Sequence, residues 1–171
     1  FTIIMIVIFL TVIIFYDLVI GFLGSTYHDE RGFLVVSILL LANLFLGIFF
    51  NLSIWYKLTG KTIFGAYLTI FGSIITLLIN FILIPKIGFL GSAWATLACY
   101  FSMVLASYFL GKKHFPVPYE IRKILLYLSI MLAIYFPIYN DYFNLGINSL
   151  FLLGFMIFVY LLEKNKKSIK L

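Results

Sequence analysis

The sequence predicts an all-α membrane protein built as a bundle of six transmembrane helices. Of its 171 residues, 64% are hydrophobic and 11% are charged, and the mean hydropathy is +1.18. A soluble domain has roughly half apolar and a quarter charged residues, so this composition excludes a water-soluble globule. The apolar residues form long unbroken runs, and a helix needs about 20 of them to cross a hydrocarbon core of about 30 Å. The chain has room for six such helices and their connections.

The first three runs are bounded by polar residues, glycines and a proline. The first is Phe1–Phe22, and the second, Phe33–Tyr56, ends in a Trp-Tyr pair of the kind that favours the headgroup level of a bilayer. The third, Ile63–Ile84, is predicted to stop before Pro85, because proline lacks the amide donor and disfavours helix in the residue before it.

The last three runs complete the bundle. A short link after the third run leads into Phe89–Leu110, so these two helices are predicted to form an antiparallel hairpin. The fifth run, Ile124–Tyr139, is short, and its helix is expected to start as early as Ile121, whereas the sixth run is Leu145–Leu162. A basic tail, 163–171, follows, and residues 1–171 are predicted to form one six-span unit.

The basic residues are unevenly distributed among the connections. Ten of the 12 Lys and Arg residues lie in the second connection, the fourth connection and the tail. Because cytoplasmic loops retain positive charge, these segments are predicted to face the cytoplasm, with both ends of the six-span unit on that side. The net charge of +6 is therefore interpreted as a topology signal, and no nucleic-acid partner is predicted.

Residues suited to covalent chemistry are scarce and scattered. The six acidic residues are scattered, with only Asp29 and Glu30 adjacent, the two histidines lie far apart, and the one cysteine, Cys99, lies inside an apolar run. The sequence has no paired carboxylates, metal-ligand cluster or glycine-rich phosphate loop. We therefore predict no enzyme, no catalytic residue, no metal and no cofactor.

Polar residues within the apolar runs are the informative ones, because an unpaired polar group in hydrocarbon costs several kcal/mol. Asn43 and Asn51, eight residues apart, share one face of the second helix, and Asn80 lies on the third. A weakly polar face behind Asn80 is formed by Thr69, Ser73 and Thr76. Two interpretations stay open: hydrogen bonds between helices, and the lining of a substrate path.

Three charged residues lie near the ends of spans. Asp17 is the one acid within an apparent span, so it is either a functional ionisable residue or a residue at the membrane interface. Lys57 and Lys61 flank a Thr-Gly turn that is predicted to be cytoplasmic. There they either set the topology or contact an anionic headgroup or a pyrophosphate, as part of the substrate path.

The segment 80–96, NFILIPKIGFLGSAWAT, carries a motif. Its marked positions are Asn80, Pro85, Gly88, Gly91, Ala95 and Thr96. The segment resembles the signature of the C-terminal half of polysaccharide-biosynthesis flippases, members of the multidrug/oligosaccharidyl-lipid/polysaccharide exporter superfamily. The upstream segment 51–62 is similar to the stretch that enters the preceding cytoplasmic turn in the same proteins.

The motif also has a physical explanation in helix packing. Pro85 is expected to end one helix, and Gly88 frees the backbone for a tight reversal. Gly91 and Ala95 let the next helix approach closely, and Thr96 closes the motif. These residues are therefore predicted to build the hairpin, which explains the fold and leaves the substrate open.

The resemblance implies a transporter of two six-helix lobes, related as parallel repeats around a central cavity that opens alternately to each side. This chain would be the second lobe, and an N-terminal lobe of the same polypeptide would be its partner. That expectation agrees with a chain that opens at Phe1, directly in an apolar stretch and without a basic leader, as part of a longer protein.

The cargo implied by the resemblance is an undecaprenyl-pyrophosphate-linked oligosaccharide. It would cross the inner membrane of a bacterium for lipopolysaccharide O-antigen or another surface polysaccharide, with the bilayer and other polysaccharide-assembly proteins as partners. Such families commonly have cationic residues in the cavity, but here no Arg or Lys lies deep in a span. The charge would then come from the other lobe, or from Lys57 and Lys61 at the cytoplasmic mouth.

Two other functions compete with a flippase. A drug or metabolite exporter of the same superfamily would carry acidic residues within the spans, and only the peripheral Asp17 qualifies. A membrane-embedded polysaccharide polymerase or acyltransferase would need a substantial loop with His, Arg or Asp, whereas the connections in this sequence are short.

Overall fold

The computed structural model describes residues 2–23, 30–114, 121–140 and 144–168. Within these ranges the chain forms eight α-helices and no strand. The helices are α1 Thr2–Ile14, α2 Tyr16–Leu23, α3 Glu30–Leu52, α4 Ile54–Leu58, α5 Ile63–Ile87, α6 Phe89–His114, α7 Ile121–Tyr139 and α8 Leu145–Ser168. The predicted all-α class is confirmed for this part of the chain.

Five segments of the described chain are long and apolar enough to cross a membrane. They are residues 31–58, which join α3 and α4, then 63–87 in α5, 89–113 in α6, 122–139 in α7 and 145–162 in α8. These segments correspond to the second to sixth predicted spans, and they fit a multi-pass membrane protein.

The first predicted span, Phe1–Phe22, is not a single helix. The structure divides it at Phe15 into α1, of 13 residues, and α2, of 8 residues. At 1.5 Å per residue, α1 is about 20 Å long, too short for a hydrocarbon core of about 30 Å. The hydroxyl of Thr11 donates to the carbonyl of Val7 at 2.7 Å, a bond that often bends helices, and the break follows one turn later. The count of six spans is therefore not confirmed.

The described helices fall into two compact units. The first unit holds α3 to α6, and the second holds α2, α7, α8 and α1 from Ile3 onward. All the runs are similarly apolar, so the sequence does not predict which helices belong to which unit.

In the first unit, α6 is the central helix, and both α3 and α5 pack on it. A buried row repeats every four residues along α6: Ala95, Cys99, Met103, Ser107 and Gly111. Phe49 of α3 and Leu68 of α5 pack in one cluster with Cys99 and Met103 of this row. Small and medium side chains along α6 thus allow a helix to pack on each side.

The link between α5 and α6 is a single residue, Gly88. The prediction that Pro85 ends the helix is wrong, because α5 continues through it to Ile87. Residues 84–89 are all exposed, and the carbonyl of Phe81 lacks the amide donor that a residue other than proline would supply at position 85. The helix ends at Gly88, whose φ of 61° and ψ of −138° favour glycine over any L side chain. The predicted antiparallel hairpin is confirmed.

Two helices continue beyond the ends of their predicted apolar runs, and one starts where it was expected to. α6 continues to His114, beyond the predicted end of the fourth run, and α7 begins at Ile121, the earliest start expected. α8 covers Leu145–Ser168, so residues 163–168 of the predicted tail are helical. Residues 169–171 of that tail lie outside the described residues.

In the second unit, α1 contributes to the packed core. It buries Ile6, Phe9, Leu10, Ile13 and Ile14. The ring of Phe9 meets that of Tyr135 on α7 edge to face, with centroids 5.8 Å apart. The described residues of α1 therefore contribute apolar side chains to the core of this unit.

Candidate functional site

The two asparagines of α3 lie on an exposed side of the helix. Asn43 and Asn51 are both exposed, together with Phe50 and Ile54. The Asn43 Nδ2 donates to the carbonyl of Leu39 at 2.9 Å, and the Asn51 Nδ2 donates to the carbonyl of Gly47 at 3.0 Å. Each bond uses one of the two amide hydrogens, so a donor and the amide oxygen still face outward.

Of the two interpretations for these asparagines, hydrogen bonding between helices is not seen within the described residues. Both amides bond only to the backbone of their own helix. Asn51 lies near the end of α3 that leads into α4, and Asn43 lies eight residues, or about 12 Å, further into the span. The amides therefore present an exposed polar strip that starts near one end of the helix and reaches its middle.

The polar side chains of α5 are differently arranged. The hydroxyls of Thr69, Ser73 and Thr76 donate to carbonyls one turn back, at 2.9, 3.0 and 3.0 Å. Such hydroxyls satisfy their donors within the helix. Asn80 differs, because its Oδ1 is buried and has no hydrogen-bond partner in the described part of the chain. An unsatisfied buried acceptor costs about 1–3 kcal/mol.

The structure does not bring Asn80 together with the α3 asparagines. α3 and α5 both pack on α6, and no hydrogen bond among the described residues joins Asn80 to Asn43 or Asn51. Asn80 lies nearer the Gly88 end of α5, whereas Asn51 lies at the opposite end of the unit, beside α4. The three asparagines among the predicted substrate-path residues thus divide into an exposed pair on α3 and a half-buried single residue on α5.

The predicted turn between Lys57 and Lys61 is present, and a short helix precedes it. α4 places Lys57 on its exposed side, and Gly60, with φ of 69°, reverses the chain before Lys61, which is also exposed. The aromatic pair before the turn points inward: Trp55 is 1% exposed and Tyr56 is buried. These rings therefore pack within the unit instead of facing the headgroups.

Trp55 and Tyr56 attach α4 to the ends of two other helices. A Cβ added at Gly111 of α6 would lie 2.9 Å from the Trp55 ring, and one added at Gly65 of α5 would lie 3.0 Å from the Tyr56 ring. The Trp55 ring also packs on Phe64, with centroids 5.4 Å apart. Glycine at these two positions thus leaves room for the aromatic side chains.

The hairpin residues lie where α5 and α6 are closest. A Cβ added at Gly91 would meet the Leu83 carbonyl carbon at 2.7 Å and the Ile84 nitrogen at 2.9 Å. Ala95, one turn further, is fully buried, and the Thr96 hydroxyl donates to the Ser92 carbonyl at 2.9 Å. This geometry is that of a close helix crossing, in which small residues permit backbone contact.

Asp17 lies in the first turn of α2 and is exposed. Because the first run is broken at Phe15, the carboxylate stands at a helix start and not inside a continuous span. The position therefore agrees with the interfacial interpretation.

Two features of the first unit are not evident from the sequence. Ser107 is fully buried and its Oγ has no hydrogen-bond partner in the described part of the chain. Lys112 and Lys113 follow Gly111, so they lie at the end of α6 against which α4 packs. The four-residue spacing of the buried α6 row is the signal that points to Ser107, whereas the lysine arrangement depends on tertiary packing.

Among the described residues, no group of three or more His, Cys, Asp or Glu side chains is placed to hold a metal ion. The Cys99 thiol is buried beside the Met103 Sδ at 3.7 Å. Comparison of the chain with protein-family models, with curated proteins and with solved structures finds no match.

Proposed function

We propose that this chain is part of a transporter that moves an undecaprenyl-pyrophosphate-linked oligosaccharide across the inner membrane of a bacterium for surface polysaccharide synthesis. The observation that carries the proposal is the exposed amide strip of Asn43 and Asn51 on α3, which from residue 38 onward has no other polar side chain. The resemblance of segment 80–96 to polysaccharide-biosynthesis flippases supports the choice of cargo.

An amide exposed to hydrocarbon is costly, so the strip needs a polar neighbour. A carboxamide transferred to an apolar medium without a partner costs several kcal/mol. The described residues provide no partner for the outward-facing parts of Asn43 and Asn51. A second lobe that encloses water against this side of α3 would supply one, and the resemblance implies such a lobe.

Sugar hydroxyls suit this strip because they both donate and accept hydrogen bonds. An asparagine amide also does both. A hydrogen bond between an amide and a neutral hydroxyl contributes only a modest free energy of binding, so the cargo can also dissociate. The polar headgroup would pass along the wet side of α3, while its lipid tail stays in the bilayer. Lys57 and Lys61, near the Asn51 end, would lie at the mouth of this passage.

Transport by this route requires no covalent step. Two lobes would rock against each other and expose the passage alternately to each side. Within the first unit, the one-residue link and the close Gly91 crossing favour motion of α5 and α6 as one body. The acidic alternative, an exporter coupled through an ion-binding carboxylate, has less support, because Asp17 lies at the start of α2.

The test is transport by the complete protein in proteoliposomes with a fluorescent lipid-linked oligosaccharide. Asn43→Leu with Asn51→Leu keeps side-chain size and removes both amides. Since each hydrogen bond contributes about 1 kcal/mol, we expect roughly a fivefold slower rate for each amide lost.

The matched control is Thr69→Val, which removes an exposed hydroxyl that bonds to its own helix. Its rate should equal that of the parent, as should the amount of each protein in the vesicles. An unchanged rate in the double asparagine variant would refute the proposed passage.

A further inference from the structure

We infer that α4, together with the adjoining ends of α5 and α6, forms a binding site for the phosphate headgroup of an anionic phospholipid. The site consists of Lys57, Lys61, Lys112 and Lys113, with the exposed apolar residues Ile54 and Leu58 beside them. We call it the α4 lysine site.

The fold brings these lysines to one end of the first unit. α5 and α6 are antiparallel, so the start of α5 lies beside the end of α6. α4 lies between these two ends, with Tyr56 against Gly65 and Trp55 against Gly111. Lysines that are more than 50 positions apart in the sequence thus lie around one short helix.

Within the described residues of the two chain segments that form the site, the positive charge has no acidic neighbour in the sequence. Segments 53–65 and 107–114 contain the four lysines and no Asp or Glu. All four side chains are exposed, and none forms an ion pair with a described carboxylate. An anionic group that arrives from outside the protein would therefore find ammonium groups that are free to pair with it.

The position of the site suits a lipid headgroup. Each lysine stands at or just beyond the end of an apolar segment, namely 31–58, 63–87 or 89–113. A lysine at such an end extends its charge to the headgroup level while its methylene stem stays in the apolar layer. The ammonium groups consequently reach the depth at which lipid phosphates lie.

The apolar residues of α4 distinguish a lipid from a free phosphate. Ile54 and Leu58, one helical turn apart, are 46% and 71% exposed, directly beside Lys57. A soluble anion would leave both side chains uncovered, whereas the upper acyl chain of a phospholipid would cover them. The buried Trp55 and Tyr56 rings fix α4 in place, so the lysines do not have to be brought together on binding.

This inference does not depend on the cargo. The two proposals share Lys57 and Lys61, which would lie at the mouth of the passage, but the passage itself rests on the amides of Asn43 and Asn51 within the span. The transport test changes only these two amides, and the lipid test changes only the lysines of the α4 lysine site. Either proposal can fail while the other holds.

The chain contains two tryptophans, which allows a direct measurement at the site. Trp94→Phe leaves Trp55, on α4, as the only indole. The protein is placed in nanodiscs that contain phosphatidylglycerol with brominated acyl chains and unlabelled phosphatidylcholine. Bromine quenches the fluorescence of a nearby indole, so the quenching of Trp55 gives the binding constant of phosphatidylglycerol relative to phosphatidylcholine. We expect a preference for phosphatidylglycerol of about fivefold or more, the effect of a single well-placed lysine near a membrane surface.

Lys→Gln substitution at all four positions of the site should reduce this preference to nearly one, and Lys→Arg at the same positions should retain it. The matched control is Lys→Gln at Lys164, Lys166, Lys167 and Lys170, which removes equal charge elsewhere and should keep the preference. If the fourfold variant loses helicity by circular dichroism, the pairs Lys57→Gln with Lys61→Gln and Lys112→Gln with Lys113→Gln should each give a partial loss.

Three results would overturn the inference. They are the absence of any preference in the parent, a full preference in the fourfold Lys→Gln variant, or an equal loss in the control variant. Soluble glycerol phosphate provides a separate arm: if millimolar amounts abolish the quenching preference, the site binds free phosphate and the lipid assignment is wrong.

Discussion

α5 and α6 are the two arms of one hairpin and nearly equal in length, but they face different surroundings. α6, rich in small residues, has a helix packed on each of two sides, and its buried row includes Cys99 and Met103. α5 packs on α6 and leaves most of its large side chains exposed, with Phe81 85% exposed. The helix with the larger apolar side chains is therefore the outer one, the reverse of the order in a water-soluble protein.

The difference follows from the solvent. In lipid, burying an apolar side chain against protein gains little over contact with acyl chains, so close packing of small residues decides which helix lies inside. The contrast between α5 and α6 is thus a contrast between side chains that meet protein atoms and side chains that are exposed on the surface of the first unit.

The largest expected effect comes from the one face of α5 that is enclosed. Leu68 is 2% exposed and packs in the cluster with Met103. Leu68→Ala should lower the free energy of unfolding in detergent by about 2–4 kcal/mol, because it leaves a cavity. Phe81→Ala, on the exposed face of the same helix, should change it by less than about 0.5 kcal/mol. Equal losses in denaturant titrations would contradict the difference between the two faces.

A somewhat smaller loss is expected where the backbones of α5 and α6 meet. Gly91→Ala places a methyl group 2.7 Å from the Leu83 carbonyl carbon, and the backbone must move to accommodate it. We expect a loss of about 1–3 kcal/mol in the same titrations. Gly154→Ala, on α8, has nothing within 4 Å and serves as the control, with unchanged or slightly higher stability. A neutral Gly91→Ala would mean that the hairpin tolerates a wider crossing.

The smallest effect is expected further along the same interface, at Gly72. There an added Cβ would meet the Met103 Sδ at 2.5 Å, the flexible part of a side chain that can move. Gly72→Ala should cost at most about 1 kcal/mol, since its gain in helix propensity offsets part of the crowding. In a double-mutant cycle, the cost should fall further when Met103→Ala is present. If the stability changes of Gly72→Ala and Met103→Ala are additive, the Met103 side chain does not move to make room for the added methyl group.

Much of the fold follows from the sequence, because the helix ends are marked by local chemistry. Ile63, Phe89 and Leu145 begin helices at the predicted positions, each just after a polar or glycine-containing link. The break at Phe15 carries no such mark, since the apolar run continues through it. Pro85 gives a wrong prediction of the helix end, because α5 continues two residues past it in spite of the missing hydrogen bond.

The site is predictable only in part. The eight-residue spacing of Asn43 and Asn51 places both on one side of α3, and both are exposed. What lies opposite them, and which residues are buried, depends on packing between helices that periodicity does not encode. The proximity of Lys112 to α4 likewise requires the contact between Trp55 and Gly111.

The one-residue connection at Gly88 also constrains how the protein is made. A link of one residue is too short to leave one helix in the bilayer and the other outside it. We therefore expect α5 and α6 to insert into the membrane as a pair during synthesis. From residue 62 to residue 111 the only charged side chain is Lys86, close to the tip of the pair. Insertion of this pair of helices therefore requires that only one charged group, the ammonium group of Lys86, crosses the hydrocarbon layer.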